Sequence, residues 1–173
     1  MVERDVISRI VTSLEEHLRD VDEIKSPHWH KEIELIYVLE GLLDVGLNNK
    51  VYTLEPGDIL LVGMGDVHYF LTRPVKSKRI IIQFDLLMVE HQSGVFLDRR
   101  FKFPLIRKDR EDSLRIGYPE RRVHRLLEEE ILTLYHEYQE KAEGYKLAVM
   151  AGLYNLVALF IRYIPLEEVS PLE

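Results

Sequence analysis

The sequence has no cysteine among its 173 residues. A disulfide framework and a thiolate metal site are therefore both excluded. The sequence also shows no basic segment leading into an apolar run at its start, as a secretory signal would, and no apolar run approaching the roughly 20 residues that span a membrane. We therefore expect a cytoplasmic protein without membrane contact.

Basic charge is scarce as well. Lysine and arginine total 23 against 30 aspartates and glutamates, which gives a formal net charge of −7. The basic clusters at residues 76–79, 99–100 and 121–122 are small, and acidic residues lie near them. Because a surface that grips nucleic acid needs clustered positive charge, we expect any DNA contact to lie outside these residues.

The pattern of apolar residues indicates a mainly β fold. Short apolar or alternating runs between residues 32 and 84 are separated by turn signals, among them Asn48-Asn49 and Pro56-Gly57. Several short strands at this spacing are typical of a closed or sandwiched antiparallel architecture. A chain of this length can bury about 70% of its unfolded surface, which is enough for one core.

The pattern changes near Tyr118, where apolar residues begin to recur at spacings of three and four. This predicts a first helix ending near Lys141 and a second that stops before Pro165, with Gly144 as the break. Two helices joined by a short turn favour an antiparallel pair. Their apolar faces could pack only on the barrel or could also meet a second subunit.

Three histidines and one glutamate suggest a polar site. His28, His30 and Glu34 share parity, so on a regular strand they would project from one face, and His68 could join them from a neighbouring strand. Imidazole nitrogens and a carboxylate oxygen are suitable ligands for a divalent transition metal, and zinc, iron, manganese, nickel and copper all remain open.

The spacing of these residues resembles the cupin family. His-x-His-x3-Glu-x6-Gly, ending at Gly41, is similar to the first cupin motif, and the stretch from Gly57 through His68 to Thr72 is similar to the second. The chain departs from the pattern at three positions. Asp22 stands where a glycine usually precedes the first histidine, Gly63 where proline is common and Thr72 where asparagine is common. None of the three is a candidate ligand. The resemblance implies a double-stranded β-helix, or jelly-roll, barrel followed by the antiparallel helix pair.

The fuller wording of the motif region, HWHKEIELIYVLEG followed by YTLEPGDILLVGMGDVHYF, more closely resembles the sensor domain of AraC-type transcription regulators. This implies a sensor barrel with an N-terminal arm over residues 1–117 and a dimerisation and linker region over residues 118–173. It also implies a small-molecule effector, either a sugar or a small organic acid, and a homodimer. DNA would be contacted only through a helix-turn-helix domain absent from this chain.

The amino-terminal segment leaves two alternatives open. Apolar residues from Val6 to Leu18 recur at helical spacing, which predicts a short amphipathic helix. The resemblance instead implies a flexible arm or first strand, with strand character near residues 16–21.

Side chains near the four candidate ligands complete the predicted site. We expect Glu32 at its mouth and Phe70 and Gln83 in the pocket as ligand-binding residues, with no catalytic residue assigned. Trp29 should face outward. The remaining histidines at positions 91, 124 and 136 are expected on the surface, and residues 76–79 in a solvated turn.

Two functions follow from these expectations. The first is the effector-sensing and dimerisation domain of an AraC-type regulator, whose ligand binds inside the barrel with or without a metal. The second is a free-standing metal-dependent cupin enzyme, for instance a dioxygenase or an isomerase. The absence of a separate general acid or base beyond Glu32 favours the first, so we expect no enzymatic activity.

Overall fold

A computed structural model describes residues 9–15 (backbone only), 26–71, 76–86, 95–96, 98–108 and 121–169. Within these residues the chain forms ten strands and two helices. In chain order they are β1 (Arg9–Glu15), β2 (Ile33–Glu40), β3 (Leu43–Leu47), β4 (Lys50–Leu54), β5 (Ile59–Val62), β6 (His68–Leu71), β7 (Ser77–Phe84), β8 (Arg99–Phe101), β9 (Leu105–Ile106), α1 (Arg121–Glu140), α2 (Tyr145–Tyr163) and β10 (Leu166–Glu168).

The strands form antiparallel sheets. The larger sheet has the order β1-β7-β2-β5-β9 and packs against a smaller sheet of order β4-β3-β6. Asn48 takes the left-handed conformation (φ 52°) in the turn between β3 and β4, as its position in the predicted hairpin requires. The predicted mainly β fold followed by a helix pair is confirmed.

Alternation along β2 gives the sheet two different faces. Ile36 and Val38 belong to the apolar interior between the two sheets, whereas Leu35 and Tyr37 belong to a second core shared with both helices. Because neighbouring side chains on a strand point to opposite faces, Glu34 lies on the interior face. The fold therefore carries a carboxylate into the barrel, where only 6% of the residue is exposed.

The two helices pack on the larger sheet as predicted. The Tyr37 hydroxyl donates to Glu128 Oε1 of α1 at 2.7 Å. The expectation that His124 lies on the surface is wrong: the residue is buried, and its Nε2 donates to the carbonyl oxygen of Gly57 at 2.6 Å. His124 thus fixes α1 to the turn before β5. His136 is exposed as expected, and His91 lies outside the described residues.

The amino-terminal helix alternative is wrong where the structure describes the segment. Residues 9–15 form β1, which pairs with β7 in antiparallel register from Arg9 opposite Gln83 to Glu15 opposite Ser77. Pairing with an existing strand outweighs helical spacing in so short a segment. The strand expected near residues 16–21 lies outside the described residues.

The expectation of a solvated turn at residues 76–79 is wrong for two of them. Lys76 is exposed, but Ser77 and Arg79 belong to β7 and are buried. The guanidinium carbon of Arg79 lies 4.4 Å from the centre of the Phe70 ring, a cation–π contact that favours burial of the charge.

By length and composition alone, α2 would be long and apolar enough to cross a membrane. This corrects the expectation that no run approaches that length, although one such helix is weak support for a membrane span because the core helix of a globular domain passes the same test. One side of α2 packs into the core shared with α1 through Val149, Gly152, Leu153, Leu156, Val157 and Phe160.

A short strand after α2 returns the chain to the barrel. β10 pairs antiparallel with β8, Leu166 lying opposite Phe101 and Glu168 opposite Arg99. The division of the chain at residue 117 stays a prediction.

Candidate metal centre

The candidate ligands reach the centre from three segments rather than from the two neighbouring strands that were predicted. His28 and His30 precede β2, and the chain bends at residues 31–32 before Glu34 enters the strand, so the parity argument describes their local backbone incorrectly. His28 instead forms a two-residue bridge with His68, the first residue of β6, through N–H to carbonyl bonds of 3.1 and 2.9 Å.

The structure brings all four predicted ligands together. Ring nitrogens of His28, His30 and His68 lie within 4.8 Å of one another. Glu34 Oε2 lies 3.2 Å from His30 Nε2 and 3.8 Å from His68 Nε2. His68 is fully buried, whereas the His28 ring is exposed and marks the open side of the centre.

Backbone carbonyls orient each ring in the same sense. Nδ1 of His28 lies 3.3 Å from the carbonyl oxygen of Ser26, Nδ1 of His30 lies 3.0 Å from that of Glu32, and Nδ1 of His68 lies 3.1 Å from that of Asp66. A carbonyl oxygen can only accept, so each Nδ1 carries a proton, and Nε2 of a neutral ring keeps a lone pair. When His30 is protonated, its Nε2 instead donates to Glu34 Oε2, 3.2 Å away.

The centre therefore presents acceptors and no donors while its histidines are neutral. The three Nε2 lone pairs accompany the Glu34 carboxylate, whose Oε1 is buried without a hydrogen-bond partner, as is Nε2 of His68. Buried polar atoms without partners are costly. A proton or a metal cation would satisfy these atoms. Three imidazole nitrogens and a carboxylate are ligands that suit a divalent transition metal.

The histidine pKa values follow from the same geometry. The hydrogen bond with Glu34 raises the pKa of His30, against the opposing effect of burial. Burial lowers the pKa of His68, although the bond to Asp66 and the charge of Glu34 oppose it. His68 is therefore neutral near pH 7, the state in which imidazole binds a metal.

Two of the three predicted ligand-binding residues lie beside the candidate ligands, Glu32 near His30 and Gln83 opposite Glu34. Glu32 Oε2 is 3.8 Å from Nδ1 of His30. Gln83 is partly buried and pairs in register with Glu34, and Phe70 is buried beneath Arg79. Trp29 is 67% exposed, as its outward orientation predicts. The roles of Glu32, Phe70 and Gln83 in binding stay predictions.

Sequence reasoning missed Asp66, which supports the centre from outside. Its Oδ2 accepts from the N–H of Gly63 at 2.9 Å, and its Oδ1 accepts from Asn48 Nδ2 at 3.1 Å and lies 3.2 Å from Arg100 Nε. Only the local turn from Gly63 to Asp66 could have been anticipated, because an aspartate often accepts from the backbone of its own turn.

One protein-family model matches part of the chain. Residues 20–80 match the family model described as a cupin domain. The chain therefore contains a cupin domain, mainly β with antiparallel sheets, followed by two helices. A search of curated proteins found no significant match.

Solved structures similar to part of the chain include oxalate decarboxylase from Bacillus subtilis at pH 4.6 (22% identity, TM-score 0.33) and a tryptophan-to-phenylalanine variant of that enzyme (21%, TM-score 0.34). Each match covers 36% of this chain and 18% of the other. A further match, to a study of the enzyme's Mn(II) centres, has 22% identity and a TM-score of 0.33. The matched region is thus less than a fifth of those enzymes.

Proposed function

We propose that the barrel binds a divalent transition metal through His28, His30, Glu34 and His68 and uses it to hold a small polar effector. In this proposal the domain is the effector-sensing and dimerising part of an AraC-type transcription regulator. The observation that carries the metal site is the convergence of three histidine rings on the Glu34 carboxylate, where Glu34 Oε1 and His68 Nε2 are buried without hydrogen-bond partners. Zinc, iron, manganese, nickel and copper all suit these ligands.

A bound metal would supply positive charge and open coordination positions for an oxygen donor, such as a sugar hydroxyl or the carboxylate of a small organic acid. The chain's own residues would do the rest. Gln83 can donate or accept a hydrogen bond beside Glu34, and Phe70 offers an apolar surface. Glu32 would accept from a hydroxyl group at the open side.

The metal site is tested by comparing His68→Ala with His136→Ala, which removes an exposed histidine on α1. Purified proteins are incubated with each of the five metals, dialysed, and analysed for metal content. We expect one retained metal per chain in the wild type and in His136→Ala, and loss in His68→Ala. If His68→Ala does not fold, as judged by far-ultraviolet circular dichroism, Glu34→Gln replaces it. Equal retention in all variants would contradict the site.

The dimer is supported by an apolar stripe on α2 outside the set of residues that the helix buries in the core. Its members recur at spacings of four and three, the pattern of a helix–helix seam. The large ones are exposed by 77% at Leu147, 46% at Tyr154 and 42% at Ile161. The stripe consists of Leu147, Ala151, Tyr154, Ala158 and Ile161. We propose that a second copy of this chain covers it.

Sedimentation equilibrium tests this interface. We expect the wild type to dimerise and the double variant Leu147→Glu/Ile161→Glu to remain monomeric, because buried charges at a seam lack partners. Lys146→Glu changes an exposed charge on the same helix outside the stripe and should still dimerise. A wild type that stays monomeric at high concentration would remove the dimerising part of the proposal.

The regulator role has its own test in the gene. DNA contact would belong to a helix-turn-helix domain outside these residues, which agrees with the net charge of −7. We expect the native reading frame to continue past the codon for Glu173 into two helix-turn-helix units. A stop at that codon would contradict the regulator and favour a free-standing cupin.

A metal-dependent enzyme is the second candidate. Three histidines and one glutamate leave coordination positions for substrate, as catalytic metal sites do, and Glu32 beside His30 is the nearest acid for proton transfer. Turnover assays with iron- or manganese-loaded protein would use small organic acids and sugars. Catalysis predicts turnover that is lost in Glu34→Gln, whereas lasting inactivity despite full loading would count against it.

A further inference from the structure

A concave site whose lining includes none of the four candidate metal ligands lies beside the β3–β4 turn. It is a cleft of about 220 Å³ between the β3–β4 turn, β8 and β10. The lining residues that carry charge or a side-chain amide are Asn48, Asn49, Lys50, Asp66, Arg100, Lys102 and Glu167. None of them is a candidate metal ligand, so the cleft can be filled or altered separately.

The negative charge of Asp66 is already compensated within the wall of the cleft. Its carboxylate accepts from Gly63 and Asn48 and forms an ion pair with Arg100 at 3.2 Å. Asp66 is only 3% exposed, so these bonds leave it little capacity to attract a cation from solvent. Arg100 is likewise directed toward Asp66.

Two ammonium groups remain in excess. Among the described residues, neither Lys50 nor Lys102 forms an ion pair, although Nζ of Lys102 lies 5.6 Å from the centre of the Phe103 ring. Glu167 opposes them as the remaining acidic lining residue. Two cations against one anion give the cleft a local positive surplus in a chain whose net charge is −7.

We propose that this cleft binds a small oxyanion, the carboxylate or phosphate group of a metabolite-sized ligand, through Lys50 and Lys102. Ammonium groups form charge-assisted hydrogen bonds with such oxygens, and the side-chain amide of Asn49 provides a neutral donor. The volume is below the roughly 300 Å³ at the lower end of drug-like pockets, so the ligand is small. The site is independent of the proposed metal-dependent function.

Titration with inorganic phosphate, followed by ¹H–¹⁵N nuclear magnetic resonance at constant ionic strength, tests the cleft. We expect saturable shifts at the amides of residues 48–50 and 100–102 in the wild type. The double variant Lys50→Gln/Lys102→Gln should bind about tenfold more weakly or worse, because two charge-assisted bonds are lost. The matched control Lys141→Gln/Lys146→Gln removes two exposed lysines near the turn between the helices and should bind as the wild type does.

Three outcomes would overturn the proposal: equal phosphate affinity in the cleft variant, equal weakening in the control, or shifts that do not saturate and are reproduced by chloride. His30→Ala separates this site from the metal centre. It should keep phosphate binding while losing metal. If the wild-type protein binds phosphate but retains no metal, the oxyanion cleft is supported and the proposed metal-dependent function is refuted.

Discussion

Glu130 carries a partly buried carboxyl group between the two helices. Burial raises the pKa of Glu130, while a hydrogen bond from Asn155 Nδ2, 3.5 Å from Oε2, opposes the rise. The folded state thus holds the Glu130 proton more tightly than the unfolded state. The resulting contribution to stability is present below the unfolded pKa, about 4.3 for glutamate, and is lost as the pH rises through the higher folded pKa.

Glu130→Gln abolishes the loss of stability at higher pH, because an amide does not ionise. We expect the variant to unfold at a higher denaturant concentration than the wild type near pH 7. The difference should shrink as the pH falls toward the pKa of a free glutamate, about 4.3. Glu140→Gln, which alters an exposed position on the same helix, should show no such pH dependence. A constant difference across the pH range would contradict the burial effect.

Residue types and spacing predicted which side chains lie close together in the candidate centre but not how they are held there. His28, His30, Glu34 and His68 do converge, although His28 and His30 precede β2 instead of lying on one strand with Glu34 as predicted. The buried roles of His124 and Arg79 depend on partners that only the folded chain brings near. The Gly57 carbonyl that binds His124, for example, is 67 residues away in sequence.

At the scale of the secondary structure, substituting two glycines distinguishes the cost of backbone strain from the cost of steric overlap. Gly41 (φ 77°) and Gly65 (φ 75°) both take the left-handed conformation. A Cβ on Gly41 would overlap the carbonyl oxygen of Lys76, whereas a Cβ on Gly65 would meet nothing within 4 Å. Gly65→Ala should therefore cost only the strain, about 1 kcal/mol, and Gly41→Ala about 3 kcal/mol or more.

Urea denaturation of the two alanine variants measures the difference. Because both substitutions add the same methyl group at nearly the same φ, Gly65→Ala serves as the control for Gly41→Ala. Equal losses of unfolding free energy would show that the strand end at Gly41 can move away from Lys76, and would contradict the overlap.

The elements with strong local signals were predicted well. The two helices and the β3–β4 hairpin are where spacing and turn residues placed them. For the segment that forms β1, the sequence left a helix and a strand as alternatives, and it gave no prediction of β10. Both owe their structure to a distant partner strand, and a segment as short as Leu166–Glu168 has no periodicity of its own to detect.

For the whole molecule, one apolar core joins the sheet to both helices. It contains Leu35 and Ile82 of the larger sheet together with Leu127 of α1 and Leu156 of α2. Because these residues share contacts, we expect the barrel and the helices to unfold in a single transition. Near-ultraviolet circular dichroism reports packing around the aromatic rings, and far-ultraviolet dichroism reports mainly the helices. Coincident urea curves are expected, and separate midpoints would instead show two independently folding units divided near residue 117.

The pairing of β10 with β8 fastens the end of the described chain to the rim of the barrel. Val169 donates to the carbonyl of Asp98, and Arg100 in the adjoining strand holds Asp66, whose carbonyl in turn accepts from His68. A mechanical load applied beyond Val169 would therefore peel β10 from β8 one residue pair at a time before it reached α2. The first pair to separate would be Glu168 and Arg99, and the second, Glu167 and Arg100, includes the arginine that forms an ion pair with Asp66 beside the candidate ligand His68.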